Sequence, residues 1–376
     1  MSNPILQFGT SRFLQAHVDL FVAEALRCEP SAALGRITVA QSTLNPDSRA
    51  RIDALRACGA YPVRIRGRQN GEIVDTTVHC DAITEAWVAA DDWPTLRESV
   101  RHDVKVIVSN TGDTGFASFD HDTARHLAPN QPPPRGFPAK LAVLLHDRFE
   151  AGGAPISLLP CELISRNGAV LRELVIGIAR KWQADEAFIA YLARDCIWLN
   201  SLVDRIVSEP IHPIGAIAEP YALWAIERQP GMVLPCEHES IVLTDNLAHY
   251  ERLKLLLLNL GHSMLVELWQ SDPLAAGKRD LTVLDAMRNT AWRAVLEATW
   301  QDEVLPVFKG LGEYDAALAY LADVRDRFEN PFLVHRLADI ARNHHEKKQR
   351  RFKPAIDLAL ELGLDVDQPM LLKALS

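Results

Sequence analysis

The 376-residue sequence contains no apolar run that approaches the roughly 20 residues needed by a bilayer-spanning helix. Its longest apolar stretch, residues 253–266, is interrupted by Lys254, Asn259 and His262. The first residues also lack the basic and apolar segments of a secretion signal. These absences argue against an integral membrane protein and against a secreted one.

A surplus of basic residues is also missing. Forty Lys and Arg residues stand against 49 Asp and Glu residues, for a formal net charge of −9. Proteins that bind nucleic acid or anionic membranes carry positive patches, so we expect neither kind of partner. The 48% of hydrophobic residues and 24% of charged residues are typical of a globular chain. At about 150 residues per domain, the length predicts two domains or slightly more.

The six cysteines form no CxxC pair. In a chain of this length, such scattered cysteines favour reduced thiols in a cytoplasmic protein over a disulfide framework. They are Cys28, Cys58, Cys80, Cys161, Cys196 and Cys236.

The first half of the chain alternates short β-rich runs with segments of helical periodicity. Strands are predicted at 4–8, 36–42, 105–110 and 155–163, and helices at 11–26, 47–59 and 139–153. Residues 61–67 and 72–79, joined through Asn70-Gly71, predict an inserted hairpin. Alternating strands and helices predict an α/β fold, with a doubly wound, Rossmann-like parallel sheet.

The second half has a different pattern. From about residue 184 nearly every segment, SLVDRIVS (201–208) among them, shows helical periodicity. This change predicts a dinucleotide-binding, Rossmann-like domain over residues 1–196 and a mainly α-helical domain over 197–376. QPPPRG (131–136) is interpreted as a surface loop of the first domain, since apolar patterns resume directly after it.

Gly9 follows the first predicted strand, where a dinucleotide-binding fold places its phosphate turn. Backbone N–H groups can approach a pyrophosphate there only if the side chains are small. The full glycine fingerprint is absent, because Thr10, Ser11 and Arg12 follow. The alternative is a tight turn in which glycine provides an unusual backbone conformation.

The next predicted strand runs into QSTLNPDSR (41–49), with no acidic residue at its tip to bind a ribose 2′-hydroxyl. Arg49 and Arg51 lie nearby and are suited either to a 2′-phosphate or to a solvated helix surface. These residues therefore do not decide whether the cofactor is NAD or NADP. The polar loop SNTGDTG (109–115) is predicted to lie at the carboxyl edge of the sheet, where ligands of such sheets bind.

The strongest local signal is KLLLLNLGHS (254–263). At about 100° per residue, Lys254, His262 and Asn259 fall at about 0°, 80° and 140° around a helix. A helix that is apolar all round is normally buried, so these polar groups need partners or a lined cavity. A desolvated lysine also loses basicity, which favours a general base. The alternative is a surface helix whose polar groups are satisfied locally.

The KxxxxNxxH pattern resembles the catalytic signature of polyol-specific long-chain dehydrogenases, the mannitol dehydrogenase family. Similar motifs occur in order from residue 7 to 353, so the resemblance covers nearly the whole chain. PCELI-x-x-NG and LVDRIV are most similar to the tagaturonate reductase (altronate oxidoreductase) branch. The motifs are FGTSRFLQAHVDLFV (8–22), PAKL (138–141), LLPCELISRNG (158–168), NSLVDRIVSEP (200–210), ERLKLLLLNLGHS (251–263) and RFENPFLVHRLADIA (327–341).

The resemblance implies an NAD-dependent dehydrogenase in which the nicotinamide supplies the hydride chemistry. Lys254 matches the lysine that acts as general base in oxidation and as acid in reduction. Asn200 and Asn259 match the amides that polarise the reacting oxygen, and His262 matches a residue that binds a substrate hydroxyl. No metal is implied; the cysteines show no zinc spacing, and His344-His345 is interpreted as a surface pair.

The same resemblance assigns the binding residues. The cofactor is expected to contact Gly9, Thr10, Ser11, Arg12, Phe13, Asn110 and Thr111. The substrate is expected to contact His335, Lys347 and Arg351. Lys347 and Arg351 are four apart in RNHHEKKQRRFKP (342–354), so they share a helix face and suit a carboxylate. The alternative is a solvated basic surface.

Two departures from the family pattern stand out. Ser11 occupies the position of a second glycine, and the connection from Arg205 to Glu219 is brief. The leading hypothesis is a metal-independent enzyme that interconverts a keto-sugar acid and its polyol acid. The alternatives are a dehydrogenase of neutral polyols or polyol phosphates, and a non-catalytic nucleotide-binding protein on the same fold. A monomer and a small homo-oligomer are both left open.

Overall fold

The computed structural model describes residues 3–43, 45–112, 115–275 and 277–376. The strands of these residues include short edge strands as well as long hairpin strands. In chain order they are β1 (Ile5–Phe8), β2 (Ile37–Gln41), β3 (Tyr61–Gln69), β4 (Glu72–Cys80), β5 (Ile83–Val88), β6 (Val106–Ser109), β7 (Ile156–Pro160), β8 (Cys196–Trp198), β9 (Ser201–Asp204), β10 (Val207–Pro210), β11 (Ala216–Ala218), β12 (Leu223–Glu227) and β13 (Ile241–Thr244).

The largest sheet in the described part of the chain has six strands in the order β5-β2-β1-β6-β7-β8, and neighbouring strands pair in parallel. Every residue of β1, β2, β6 and β7 is buried, as expected for a parallel sheet covered on both faces. The strand order reverses between β1 and β6, so their carboxyl ends flank the switch point at which such sheets bind ligands. The predicted doubly wound, Rossmann-like fold is confirmed.

The helices of the first half follow the predicted segments closely. The predicted helix 11–26 is divided at His17, whose φ of −130° and ψ of −96° interrupt the helical hydrogen bonding. Strand β5, the helix after it and the helix at Asn167–Lys181 were not predicted. The helices are α1 (Arg12–Gln15), α2 (Val18–Cys28), α3 (Pro46–Ala57), α4 (Trp93–His102), α5 (Phe137–Glu150), α6 (Asn167–Lys181) and α7 (Glu186–Arg194), with short 3₁₀ helices at Pro30–Ala32 and Ala124–Leu127.

The predicted hairpin is present as β3 and β4. Asn70 and Gly71 at its tip have φ values of 53° and 79°. This is the left-handed pair of a two-residue hairpin turn, which the Asn-Gly sequence favours. The QPPPRG segment lies outside the helices and strands, between the second 3₁₀ helix and α5, as predicted for a loop.

The chain forms two compact units, and their division differs from the predicted boundary at 196/197. Unit 1 comprises Met1–Arg64, Thr77–Ala218 and Ala222–Leu247, and unit 2 comprises Ile65–Thr76, Glu219–Tyr221 and Ala248–Ser376. Residues 196–244 are not helical, contrary to the sequence prediction: β9, formed by the SLVD of SLVDRIVS, pairs with β12. Local periodicity suggested a helix there, but pairing with a partner distant in sequence selects the strand.

The strands from β9 to β13 belong to two smaller sheets. One has the order β13-β12-β9, with β12 parallel to β13 and antiparallel to β9. The other has the order β10-β11-β3-β4.

Apart from the tip of the β3–β4 hairpin, unit 2 is mainly helical, as predicted for the C-terminal part of the chain. Its core contains the large buried side chains Trp300, Phe308, Phe328 and Phe352. Among the described residues, no helix has the length and apolar character needed to cross a membrane. The helices from residue 247 onward are α8 (Leu247–Leu253), α9 (Leu260–Ser271), α10 (Val283–Arg288), α11 (Thr290–Ala298), α12 (Leu305–Gly310), α13 (Tyr314–Phe328), α14 (Leu337–Ile340), α15 (His344–Arg351), α16 (Lys353–Glu361) and α17 (Pro369–Leu375), with π-helical segments at Lys254–Asn259 and Thr299–Val304.

A buried carboxyl group lies in the core of unit 1. Asp19 on α2 is fully buried, and Oδ2 accepts a hydrogen bond of 2.8 Å from the Tyr61 hydroxyl. Its Oδ1 and the Oε1 of Gln7 are both buried without a hydrogen-bond partner. Burial raises the pKa of Asp19 from 3.8 to about 7. A protonated Asp19 can donate through Oδ1, so the neutral acid fits this environment better than the carboxylate does.

The Asp19→Asn variant is therefore expected to gain stability over the wild type as the pH rises. Because the folded-state pKa of Asp19 is raised, its contribution to stability is fully present below pH 3.8 and is lost as the pH rises through about 7. At about 1.4 kcal/mol per pKa unit, the difference corresponds to an upper limit of roughly 4 kcal/mol. Urea unfolding of both proteins between pH 5 and pH 9 measures the difference in their free energies of unfolding.

Asp120→Asn, at an exposed position, is the matched control, and its stability difference from the wild type should not change across this pH range. A gap between Asp19→Asn and the wild type that stays constant with pH would show that Asp19 is already ionised in the folded protein.

Candidate active site

The turn after β1 brings two backbone segments unusually close together. Gly9 has a φ of +122°, a conformation that L-residues rarely adopt. A Cβ atom at this position would lie 2.5 Å from the carbonyl oxygen of Asn110, at the end of β6. Gly9 is therefore required both by its backbone conformation and by the approach of the neighbouring loop. Its place at the strand-order reversal is that of a dinucleotide phosphate turn.

Ser11, which replaces the expected second glycine, has a structural part in this turn. Its hydroxyl accepts a hydrogen bond from the backbone N–H of Leu14 and so caps the short helix α1. It also donates to Oδ1 of Asn110 at 3.2 Å, while Nδ2 of Asn110 donates to the carbonyl of Cys161. The serine therefore connects the loops that follow β1 and β6.

A buried glutamate after β7 orders the loop after β6. Oε1 of Glu162 accepts 2.9 Å hydrogen bonds from both the backbone N–H and the hydroxyl of Thr111, and Oε2 accepts from the Ser109 hydroxyl. Burial raises the pKa of Glu162. Sequence reasoning missed this residue, although its place in PCELI, directly after a buried strand, was an available signal. Asp113 and Thr114 of the predicted SNTGDTG loop lie outside the described residues.

These loops line a cleft of about 200 Å³ at the carboxyl edge of the sheet. Arg51 extends into it and donates from Nε to the Thr10 hydroxyl at 3.0 Å and from Nη2 to the Ser48 hydroxyl at 2.9 Å. Arg49, by contrast, forms an exposed ion pair with Asp91. The described lining residues include no carboxylate: Gly9, Thr10, Ser11, Gln41, Ser42, Thr43, Ser48, Arg51, Asn110, Thr111 and Gly112.

Two of the expected cofactor residues do not line this cleft. Arg12 donates to the carbonyl of Ser208 at 3.3 Å, and Phe13 stacks on His17 with ring centroids 4.7 Å apart. The remaining residues do fit a dinucleotide. Glycine and small hydroxyl side chains leave the backbone accessible to phosphate oxygens, and Arg51 adds a positive charge.

Asn200 lies between β8 and β9 in unit 1, with 8% of its surface exposed. Its Oδ1 accepts a 2.9 Å hydrogen bond from the backbone N–H of Ala169, in the first turn of α6. Its Nδ2 donates to Oε2 of Glu227 at 2.7 Å. Each amide nitrogen carries two hydrogens, so these contacts account for one of them and leave the other as a donor.

The KxxxxNxxH segment of unit 2 is a π-helix rather than a regular α-helix from Lys254 to Asn259. The predicted angles of about 0°, 80° and 140° for Lys254, His262 and Asn259 are therefore wrong, since they assumed α-helical rotation throughout. Hydrogen bonds from residue i to i+5 widen the turn and bring Lys254 and Asn259 closer to one face. Such segments often occur at functional sites.

Side chains from elsewhere in unit 2 stabilise this irregular backbone. The indole N–H of Trp300, itself in the other π segment, donates to the carbonyl of Leu257 at 3.2 Å. Nη1 of Arg351 donates to the carbonyl of Asn259 at 3.2 Å and to the Ser263 hydroxyl at 3.0 Å. Carbonyl groups in the π segment thus receive hydrogen bonds from tertiary contacts.

One turn further on, His262 is buried beside two other rings. Its centroid lies 4.4 Å from that of Phe328 and 4.8 Å from that of His335. Burial, together with the smaller effect of the positive charges of Arg327, Arg351 and Lys347, lowers the pKa of His335 to about 4. Its buried Nδ1 has no hydrogen-bond partner. The structure therefore brings His262 and His335 together, with Arg351 close by.

Lys347 and Arg351 lie on one face of α15, as their spacing predicted. Nζ of Lys347 donates to the carbonyl of Ile340 at 2.7 Å. Among the described residues, neither cation has a carboxylate partner. Burial lowers the pKa of both, and the charge of Arg351 lowers that of Lys347 further. Neighbouring cations are paired instead: Arg342 with Asp339, Lys348 with Glu267 and Lys353 with Asp357.

Residues 3–233 match the mannitol dehydrogenase Rossmann domain, and residues 246–376 match the mannitol dehydrogenase C-terminal domain. The chain belongs to the mannitol dehydrogenase family. Altronate oxidoreductases are similar over 94% of the chain: that of Yersinia pestis is 30% identical, with 74% of its own length covered. The Bacillus subtilis enzyme is 29% identical with 74% covered, and that of Halalkalibacterium halodurans is 28% identical with 70% covered.

Solved structures agree with this fold. D-sorbitol dehydrogenase in substrate-free form superposes with a TM-score of 0.83 at 19% identity, covering 99% of this chain and 80% of that one. Pseudomonas fluorescens mannitol 2-dehydrogenase, in a ternary complex with NAD and D-mannitol, gives a TM-score of 0.74 at 17% identity, covering 100% of this chain and 78% of that one. At such identities the likeness establishes the fold of this mannitol dehydrogenase family member.

In the described part of this family member, no group of three His, Cys, Asp or Glu side chains is arranged to hold a metal ion. His344, taken from the sequence as part of a surface pair, is buried and contacts Glu267 at 3.1 Å, whereas His345 is exposed. Sequence reasoning also missed Glu227, which holds Asn200, because 27 residues separate the two.

Proposed function

We propose that this enzyme interconverts a keto-sugar acid of the tagaturonate type and its polyol acid. As a member of the mannitol dehydrogenase family, the chain is an NAD-dependent dehydrogenase that acts on CH–OH donors. The substrate class is the proposal. The observation that carries it is the pair formed by Lys347 and Arg351, two partly buried cations without a carboxylate partner among the described residues.

Two such cations on one helix face repel each other unless an anion lies between them. Arg351 uses Nη1 for the carbonyl of Asn259 and the Ser263 hydroxyl, which leaves Nε and Nη2 to bind a carboxylate through a planar fork. Lys347 adds a point charge one turn away. The altronate oxidoreductases, at 28–30% identity, carry a sugar acid in their name, which supports the same substrate class.

The proposed chemistry divides among this chain's own residues. Lys254 accepts the hydroxyl proton when the polyol acid is oxidised and returns it when the ketone is reduced. Asn200 and Asn259 donate hydrogen bonds to the reacting oxygen and stabilise the negative charge that develops there. His262 binds a neighbouring hydroxyl. Held at the cleft that includes Gly9, Ser11 and Arg51, NAD would supply the hydride chemistry, so that the overall reaction of alcohol and NAD⁺ would give ketone, NADH and a proton.

None of the six cysteines forms a disulfide bond, which supports a location of the enzyme in a reducing compartment such as the cytoplasm.

The reaction is expected to proceed without a metal ion, because the lysine and the amides supply the stabilisation that a Lewis acid would give. Activity should therefore be unchanged after dialysis against a strong chelator. Metal analysis of the dialysed protein is the control. Activity that is lost on dialysis and restored by zinc would refute metal independence.

The Arg351→Ala variant tests the carboxylate. We expect kcat/KM for the keto-sugar acid to fall roughly 10- to 100-fold more than kcat/KM for the matching neutral ketose, since a charge-assisted hydrogen bond is lost. The informative quantity is the ratio of kcat/KM for the keto-sugar acid to kcat/KM for the neutral ketose. Arg351 also donates to the backbone carbonyl of Asn259, so its loss affects both reactions.

Arg350→Ala is the matched control, since Arg350 is the exposed neighbour on the same helix, and it should leave the ratio unchanged. Equal losses for the acid and the neutral ketose in Arg351→Ala would instead favour a neutral polyol or polyol phosphate as substrate. Steady-state turnover by the wild type distinguishes both outcomes from a non-catalytic nucleotide-binding protein, which would convert neither substrate.

A further inference from the structure

The orientation of the Asn200 side chain is determined by its partners. The backbone N–H of Ala169 can only donate a hydrogen bond, and the carboxylate of Glu227 can only accept one. Oδ1 therefore faces Ala169 and Nδ2 faces Glu227. A flipped amide would place its NH₂ group against the N–H of Ala169 and its oxygen against the carboxylate of Glu227. The assignment of nitrogen and oxygen follows from this chemistry.

The backbone around Asn200 is held equally firmly. The N–H of Glu227 donates to the carbonyl of Asn200 at 2.9 Å, so these two residues are joined through both side chain and main chain. On the other side, Asn167 exchanges hydrogen bonds with the backbone of Ser201, accepting from its N–H at 2.9 Å and donating to its carbonyl at 3.0 Å. Asn200 thus has little freedom to move except by rotation of its own side chain.

We infer that Glu227 is a positioning residue for the reaction: its carboxylate holds the Asn200 amide so that the second Nδ2 hydrogen is presented to the reacting oxygen. This inference rests on the proposed role of Asn200. Without the carboxylate, the side chain of Asn200 retains its contact with Ala169 but loses the contact that fixes the position of Nδ2. A donor displaced by about 1 Å can cost about 10²-fold in rate.

The test compares Glu227→Ala with the conservative Glu227→Gln. Glu227→Ala should lower kcat roughly 10- to 100-fold, with KM and the Kd for NADH nearly unchanged. Glu227→Gln should retain most of kcat, because its Oε1 can accept the same hydrogen bond. Glu209→Gln, at an exposed position on β10, is the matched control. NADH binding and the melting temperature verify that each variant is folded.

A double-mutant cycle with Asn200→Ala decides whether Glu227 acts through Asn200. We expect Asn200→Ala to lower kcat by up to ~10²–10³-fold, and addition of Glu227→Ala to lower it no further. The inference would be overturned if kcat of the double variant fell by the product of the two single losses. It would also be overturned if Glu227→Gln lowered kcat as much as Glu227→Ala does. A normal kcat for Asn200→Ala would instead refute the proposed role of Asn200 itself, so the two failures are distinguishable.

Discussion

The Lys254→Ala variant is expected to turn over about 10²- to 10⁴-fold more slowly than the wild type, which is the usual contribution of a positioned proton-transfer group. Lys254 opens the π segment of unit 2 and is partly buried. The Kd for NADH should stay nearly unchanged, because the residues that line the cofactor cleft belong to unit 1. Steady-state kinetics in both directions, with NADH titration, measure the two effects.

Two controls make this experiment specific for proton transfer. Lys353→Ala removes an exposed lysine that pairs with Asp357, and it should leave turnover unaltered. Addition of a small primary amine should restore part of the rate of Lys254→Ala, because the amine can enter the space of the missing side chain. Near-normal turnover in Lys254→Ala would show that another group moves the proton.

The second large effect is expected for Asn259→Ala, with a loss in kcat of up to ~10²–10³-fold from the missing hydrogen-bond donor. Only the side chain is removed, so the backbone carbonyl of residue 259 still accepts its hydrogen bond from Arg351. Alanine also favours a helix more than asparagine does, so folding should not suffer. The free energy of unfolding, measured in urea, should therefore stay close to that of the wild type.

Gln270→Ala, at an exposed amide on α9, is the matched control and should change neither kcat nor stability. If Asn259→Ala loses stability but keeps its turnover, the Asn259 amide serves the fold of the π segment and not the reaction.

The nucleotide-binding half of the fold could be predicted because its signals are local. Strands β1, β2, β6 and β7 are mostly apolar and buried at every residue, since both faces of a parallel sheet are covered. Gly9 marks the turn after the first of them, and its positive φ and close approach to Asn110 are properties that only glycine supplies. Asn70-Gly71 likewise specifies the hairpin turn by itself.

The strands between residues 196 and 244 escaped prediction for a physical reason. They are short, at three to five residues each, and the LVD of β9 suits a helix and a strand about equally. Its state is selected by β12, some twenty residues further along the chain. Strand preference depends on the neighbouring strand more than on the segment itself, so no local window contains the deciding information.

The sequence by itself determined the family of this dehydrogenase, through the order of its motifs. It also singled out Lys254, Asn259 and His262, the residues proposed to carry the chemistry, as polar groups in an apolar helix. The tertiary structure alone decided how they are presented. The π segment is compatible with its sequence only because Trp300 and Arg351, 43 and 92 residues away from the carbonyls they bind, satisfy its backbone. Asn200 is likewise oriented by Glu227 and Ala169, which are distant in sequence. Local sequence specifies backbone propensity and burial, whereas hydrogen bonds between distant segments exist only once the chain has folded.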